Sequence, residues 1–171
     1  MHKRRNYKTI SIRLLAIGLV ILSGCERRTA KYPDSMPNDF NFISNIADNS
    51  YILDTYKDKL TKTIDWELDT TISYQLPVSE KQEIYKILRE IDVYKYPENY
   101  APTSTVNVSP TFSYQFKFTL NGVDYKINWT ENTESENKDA RELRRLFLKI
   151  QKALEKDDII KELPVSKRIF L

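Results

Sequence analysis

The chain has 171 residues, a length typical of one ordinary domain, with 27 basic against 24 acidic side chains and a formal charge of +3. Five of the basic side chains and no acidic one lie in the first 24 residues, so the remainder carries a formal charge of −2. Beyond residue 24 the sequence contains no histidine, one cysteine and one glycine. That part is therefore excluded from Ser–His and Cys–His catalysis, from zinc sites with His or Cys ligands, and from glycine-rich phosphate loops. Its charge gives no reason to expect nucleic-acid binding.

The first 24 residues have the features of a bacterial signal peptide, in the expected order. Five basic side chains precede an apolar run from Leu14 to Leu22. Nine residues are too few for a membrane-spanning helix, which needs about 20. A run of this length after a basic segment is typical of a secretion signal that is later removed.

The apolar run ends at Leu22 and is followed by Ser23, Gly24 and Cys25. The sequence Leu22-Ser23-Gly24-Cys25 resembles the bacterial lipobox. The resemblance implies that a diacylglycerol is attached to the sulfur of Cys25 and that the chain is cleaved before it. Two acyl chains are enough for stable anchoring. We expect a lipoprotein held at the extracytoplasmic face of the bacterial cell membrane; the alternative is an ordinary signal peptide with a chance cysteine.

Residues 25–39 are polar and contain Pro33 and Pro37. This composition predicts a flexible tether, which reaches at most about 50 Å when extended. The globular domain is expected to comprise residues 40–171.

Two stretches predict strands. Phe40 to Ile46 is the first. The second is an alternation of apolar even and polar odd positions from Leu60 to Leu76, which is long for one strand and predicts a turn or bulge near residues 65–69. Trp66 and Trp129 both occupy apolar positions of their alternations, so both are expected in the core.

A third stretch predicts a hairpin. Alternating residues 112–120 and 123–130 flank Asn121-Gly122, and this pair favours a two-residue type I′ turn because both positions need positive φ. The turn fixes the register, and it places on one face the pairs Leu120–Val123, Phe118–Tyr125, Phe116–Ile127 and Tyr114–Trp129.

Two helices are predicted from apolar stripes at helical spacing. The first is expected to begin with a capping box from Ser79 to Gln82 and carries Ile84, Ile87, Leu88 and Ile91. The second is expected to be capped by Asn137 or Ser135 and carries Leu143, Leu146, Phe147, Ile150 and Leu154. Residues 169–171 could add an edge strand.

The order of elements is strands, helix, hairpin, helix. Each helix has one apolar stripe and the hairpin has one apolar face. Burying them together predicts a single α+β domain, an antiparallel sheet with two helices packed on one face.

Tyrosine and proline are concentrated between Asp92 and Thr111. Tyrosine offers flat, amphipathic contact area, and long irregular connections are often functional. Tyr94, Tyr96 and Tyr100 are therefore candidate partner contacts. The alternative is that they cover the core as a lid.

Two charged patterns are candidate sites. Arg141, Arg145, Lys149 and Lys152 form a basic stripe on the second helix; it could face anionic headgroups or a wall polymer, but a solvated face is the simpler interpretation. Asp65, Glu67 and Asp69 could serve calcium binding or glycoside hydrolysis. No loop has calcium-site spacing, and polar strand faces carry such residues routinely, so an ordinary polar strand face is the simpler interpretation of these carboxylates. We expect no metal, no cofactor and no catalytic residue.

Several short sequences are similar to those of a group of small uncharacterised bacterial lipoproteins: residues 37–42, 83–85, 91–92, 96–97 and 163–164. The resemblance implies secretion and lipidation and carries no activity. The leading expectation is a non-enzymatic binding domain whose partner is an envelope protein or polymer. The alternatives are an inhibitor or immunity-type lipoprotein that protects the envelope, and a carboxylate-dependent hydrolase.

Overall fold

The computed structural model describes residues 32–48, 50–102, 111–131 and 137–167. The strands are β1 (Asn41–Ile46), β2 (Tyr51–Asp54), β3 (Lys59–Asp65), β4 (Leu68–Ser73), β5 (Asn99–Tyr100), β6 (Ser113–Leu120) and β7 (Val123–Thr130). The helices are α1 (Val78–Glu90), α2 (Lys138–Glu155) and the short α3 (Asp158–Lys161), with a 3₁₀ turn at Val93–Lys95. The predicted α+β class is confirmed. Cys25, its cleavage site, Ser135 and residues 169–171 lie outside the described residues.

The seven strands form one sheet in the order β4-β3-β2-β1-β6-β7-β5. All neighbours are antiparallel except β5, which pairs with β7 in parallel. The hairpin register is confirmed for all four predicted pairs, from Leu120 opposite Val123 to Tyr114 opposite Trp129. Asn121 and Gly122 have φ of 51° and 72°, as the type I′ turn requires.

One face of the sheet carries the core. Phe42 on β1 and Phe116 on β6, which lie diagonally across the two strands, are fully buried with ring centroids 5.2 Å apart. The ring of Phe147 on α2 stacks 5.5 Å from Trp129, and Tyr85 on α1 lies 5.4 Å from Phe40. Both long helices therefore pack on the same face, and every residue of their two predicted stripes is buried.

The helix starts differ from each other. At α2 the prediction of Asn137 is confirmed, because its side-chain oxygen accepts the Asp139 N–H at 2.8 Å. At α1 the predicted capping box is wrong: the helix begins at Val78, after Pro77, and no side chain caps it. Proline with φ of −52° already has a helical φ value. The first turn of α1 therefore starts at Val78, earlier than predicted, and Ser79 lies within that turn.

The predicted turn near residues 65–69 is confirmed between β3 and β4, with a β-bulge between Thr63 and Asp65. Trp129 is in the core with 1% of its surface exposed. The same prediction is wrong for Trp66, which is 68% exposed.

The compact unit starts before Phe40, at Pro33. The Tyr85 hydroxyl donates to the Pro33 carbonyl at 2.7 Å. Arg89 of α1 donates to the Asp34 carbonyl at 2.6 Å and contacts its carboxylate at 3.1 Å. The last residues of the predicted tether thus lie along α1, because two long polar side chains of that helix reach their backbone.

All buried hydrophobic side chains of the described residues lie between Phe40 and Ile160. The chain from Cys25 onward therefore contains this entire core. This core lies within the compact unit that starts at Pro33.

Gly122→Val should destabilise the domain by about 1–3 kcal/mol, the cost of one strained backbone position. There is room for a Cβ atom, since a Cβ placed on Gly122 would meet nothing within 4 Å. The expected cost comes from a β-branched residue at positive φ. Gly122→Asn is the matched control and should cost less, because asparagine tolerates this conformation. Equal denaturant midpoints for valine, asparagine and wild type would contradict the turn.

Candidate functional site

The tyrosine lid (Tyr94, Tyr96 and Tyr100) covers the end of the aromatic sheet face that the helices leave open. The Tyr94 ring lies 4.3 Å from that of Tyr125 on β7. Tyr96 is 8% exposed, and Tyr100 meets its ring edge-on at 5.5 Å. The rings follow the same apolar face as the hairpin, so they belong to the packed interior more than to a free loop.

Tyr96 is locked by hydrogen bonds to α2. Its hydroxyl donates to the Asp139 carbonyl and to the Glu142 carboxylate, each at 3.1 Å. Lys95 completes the network, with its ammonium 2.5 Å from Glu142 and 2.7 Å from Asp139. Burial, and then the hydrogen bond to Glu142, raises the pKa of the Tyr96 hydroxyl above its usual range.

This geometry corrects the expectation that Tyr96 contacts a partner: a side chain with its ring buried and its hydroxyl bonded internally offers a partner almost no surface. Tyr94 and Tyr100 are half-buried. The alternative of a lid is what the structure supports for these rings. The sequence contained a signal for this lid: two helix stripes are too narrow to cover the whole apolar face of the hairpin. Phe118 and Tyr125 therefore need another element to cover them. The rest of the predicted loop, residues 103–110, lies outside the described residues.

A second candidate surface is the projecting turn between β3 and β4. Lys62 is the last β3 residue in register with β2, opposite Tyr51, and the Thr63 N–H donates to the Ser50 carbonyl at 3.1 Å. Residues 64–69 continue beyond that point. At about 3.3 Å per residue, the hairpin extends roughly 10 Å past its neighbour. The tip lies at the end of the sheet opposite to Phe40, which directly precedes β1.

This acidic tip (residues 65–69) exposes two large apolar side chains among three carboxylates. Trp66 is 68% and Leu68 57% exposed, and the carboxylates are Asp65, Glu67 and Asp69. Alternation placed Trp66 and Leu68 on the apolar side of the strands. The described C-terminal segment reaches the base of the tip, where the Lys167 N–H donates to the Ile64 carbonyl at 2.7 Å, and it leaves Trp66 and Leu68 mostly exposed.

A third candidate surface is the basic groove between α1 and α2, an open groove of about 560 Å³. Its floor includes Ile87 and Leu148. Six basic side chains line it: Lys86, Arg141, Arg144, Arg145, Lys149 and Lys152. The predicted basic stripe therefore borders an open groove shared by two helices, and its Arg141, Arg145 and Lys152 are exposed there.

Carboxylates neutralise part of this charge. Lys149 lies 2.7 Å from Glu80, and Arg145 lies 2.6 Å from Glu90, so two ion pairs bridge α1 and α2. Arg144 donates to the buried Glu131, which also accepts the Tyr114 hydroxyl at 2.9 Å.

The three other basic side chains of the groove are exposed: Lys86, Arg141 and Lys152. Four carboxylates lie at the groove or in these ion pairs: Glu80, Glu83, Glu90 and Glu131. Arg141 makes a further interaction of its own, while Lys86 and Lys152 are exposed on a groove whose lining is mostly basic.

The acidic tip does not form the cleft that glycoside hydrolysis needs. Asp65 and Glu67 border an open depression of about 350 Å³ shared with Trp66 and Leu68. Asp65 also accepts the Trp66 N–H at 2.7 Å. Within the described ranges, no group of three or more His, Cys, Asp or Glu side chains is arranged to hold a metal ion.

Among the helices that the structure describes, none combines the length and the apolar character needed to cross a membrane.

Comparison with known proteins adds no constraint: no family model, curated protein or solved structure matches the chain. The likeness to small bacterial lipoproteins stays a prediction.

Glu142→Gln should loosen the tyrosine lid and lower the free energy of unfolding by about 1 kcal/mol near neutral pH, the upper range for a partly exposed ion pair. The hydrogen bond from Lys95 holds the pKa of the Glu142 carboxyl below its usual value. Its stabilisation is therefore complete above the unfolded pKa of about 4.3 and is lost as pH falls through the lower, folded pKa. Melting curves from pH 7 to pH 3 should show wild type and variant converging in acid.

The matched control is Glu83→Gln, an exposed glutamate on α1. It should change the melting temperature little at any of these pH values. A constant gap between wild type and Glu142→Gln down to pH 3 would mean that the carboxylate charge does not hold the lid.

Proposed function

We propose that the chain is a lipid-anchored binding module at the extracytoplasmic face of a bacterial cell membrane, which engages an envelope protein through the acidic tip. It has no catalytic role in this proposal. The observation that carries it is the exposure of Trp66 at the end of a projecting hairpin.

Anchoring is supported by the sequence alone. A basic segment, a nine-residue apolar run and Leu22-Ser23-Gly24-Cys25 occur in the order of a lipoprotein signal. The absence of histidine and of a second cysteine beyond residue 24 supports a non-enzymatic role.

Binding through the tip is supported by its shape and chemistry. Tryptophan is enriched among the residues that dominate protein interfaces, where it fills a pocket away from water. Burying Trp66 and Leu68 would stabilise a complex, while the carboxylates of Asp65 and Glu67 favour a partner with a basic rim. The same carboxylates disfavour direct insertion of the tip into an anionic membrane.

The second candidate is an inhibitor or immunity-type lipoprotein. A convex, projecting hairpin is complementary to a concave site, such as the cleft of a toxin or hydrolase. In that case the partner captured at the tip loses activity when bound. If the partner is instead a polymer, crosslinking at the tip gives no adduct with a discrete protein.

Cys25→Ser should abolish incorporation of a labelled fatty acid, because the thiol is the acceptor and the apolar run is too short to anchor the mature chain. The measurement is metabolic labelling followed by separation of membrane and soluble fractions. Ser23→Ala, which keeps a small residue before the cut, is the matched control and should label normally. Normal labelling of Cys25→Ser would disprove the anchor.

A photo-crosslinking residue in place of Glu67 should give one discrete adduct with an envelope protein in native cells. Adding Trp66→Ala should remove most of the adduct, since loss of a central tryptophan costs at least about 2 kcal/mol of binding. Stability should change by no more than about 0.5 kcal/mol, as expected for an exposed side chain.

The matched control places the crosslinker at Tyr56, which is 41% exposed in the turn at the opposite end of β3. This position should give no such adduct. An adduct at Glu67 that survives Trp66→Ala would show that the tip is not the binding element.

A further inference from the structure

The basic groove lies beside the point where the chain enters the domain. Tyr85 and Arg89 hold Pro33 and Asp34 against one flank of α1. Lys86 follows Tyr85 by one residue, a rotation of about 100° around the helix, and lies on the rim of the groove. Entry and groove are thus separated by about one helix diameter, some 10–12 Å.

The length of chain between this entry and the predicted anchor is short. Pro33 follows Cys25 by eight residues, which span at most about 28 Å when extended. The flank of α1 therefore stays close to the membrane that holds Cys25. The groove is a concave surface beside that flank, and six of its nine lining residues are basic.

We propose that the basic groove binds the phosphate headgroups of anionic lipids in the membrane that carries the anchor, and so orients the domain with its helices toward that membrane. This inference rests on the anchoring at Cys25 that forms part of the proposed function. It assigns a contact surface distinct from the acidic tip.

The chemistry of the groove matches a phosphodiester at a bilayer surface. Lys86 and Lys152 are exposed at the rim and can donate to phosphate oxygens. Leu148, which is 43% exposed, adds apolar contact at the level of the headgroups. A basic side chain at an anionic surface contributes roughly a fivefold change in partition, and the contribution fades beyond a Debye length of about 8 Å.

Two contacts fix the shape of the groove without a ligand. The ion pairs Lys149–Glu80 and Arg145–Glu90 join the helices on either side. The exposed cations are therefore held on a preformed surface. On the sheet face opposite the helices, Lys117 lies 3.2 Å from Asp124 and Lys126 lies 3.7 Å from Glu98.

The test uses the single cysteine of the mature chain. The chain from Cys25 onward, which contains the whole core, is coupled through the Cys25 thiol to a maleimide phospholipid and placed on neutral phosphatidylcholine vesicles or on vesicles that also contain phosphatidylglycerol. Lysine acylation by a water-soluble reagent is then followed by mass spectrometry. We expect Lys86 and Lys152 to react at least about fivefold more slowly on the anionic vesicles. High salt should restore their reactivity.

Lys59 and Lys126, exposed on the sheet face opposite the helices, are the internal controls and should react equally on both vesicles. Equal protection of all four lysines, or protection of none, overturns the proposal. Soluble polyphosphate on neutral vesicles is a further arm. Stronger protection of Lys86 and Lys152 by polyphosphate than by phosphatidylglycerol also overturns it, in favour of an anionic polymer.

Chemical coupling separates this result from the proposed function. If Cys25 is not lipidated in the cell, labelling of the natural protein fails while protection on the coupled vesicles can still be observed. If the groove does not bind headgroups, the lysines stay reactive although the natural protein is lipidated.

Discussion

Aromatic side chains on a single face of β6 and β7 determine where everything else in this domain packs. The type I′ turn at Asn121-Gly122 fixes the register, and a slip by one residue would turn the aromatic rings to the solvent. Phe147 contacts three of these rings, those of Tyr114, Phe116 and Trp129. The long helices therefore lie on this side of the sheet.

Features set by periodicity were predictable from the sequence. The hairpin register, both helix stripes, the Asn137 cap and the turn after β3 depend on residues close in the chain, so local patterns are sufficient to find them. The α+β class follows from the number of apolar faces that need covering. The start of α1 was not predictable in this way, because Pro77 and the sequence Ser79 to Gln82 both favour a start and local rules do not rank them.

The candidate surfaces depend on where the covering layer ends, and this is a property of the assembled fold. Alternation assigned Trp66 and Trp129 to the same environment, yet one lies on the tip and the other beneath α2. The basic stripe of α2 was visible in the sequence, whereas the contribution of Lys86 from α1 was not. Tyr96 became part of the interior because the hairpin has more aromatic surface than two helices can cover.

The two edge strands of the sheet affect how readily copies of this protein pair with one another. A free edge strand offers unpaired backbone groups to which another chain can add, and this is a common route to aggregation. β5 is two residues long and runs parallel to β7, so one edge presents very little of such a template. The other edge, β4, carries Asp69 next to its acidic turn, and like charges there oppose the approach of an identical strand. Both edges of the sheet are therefore poor templates for pairing with an identical chain.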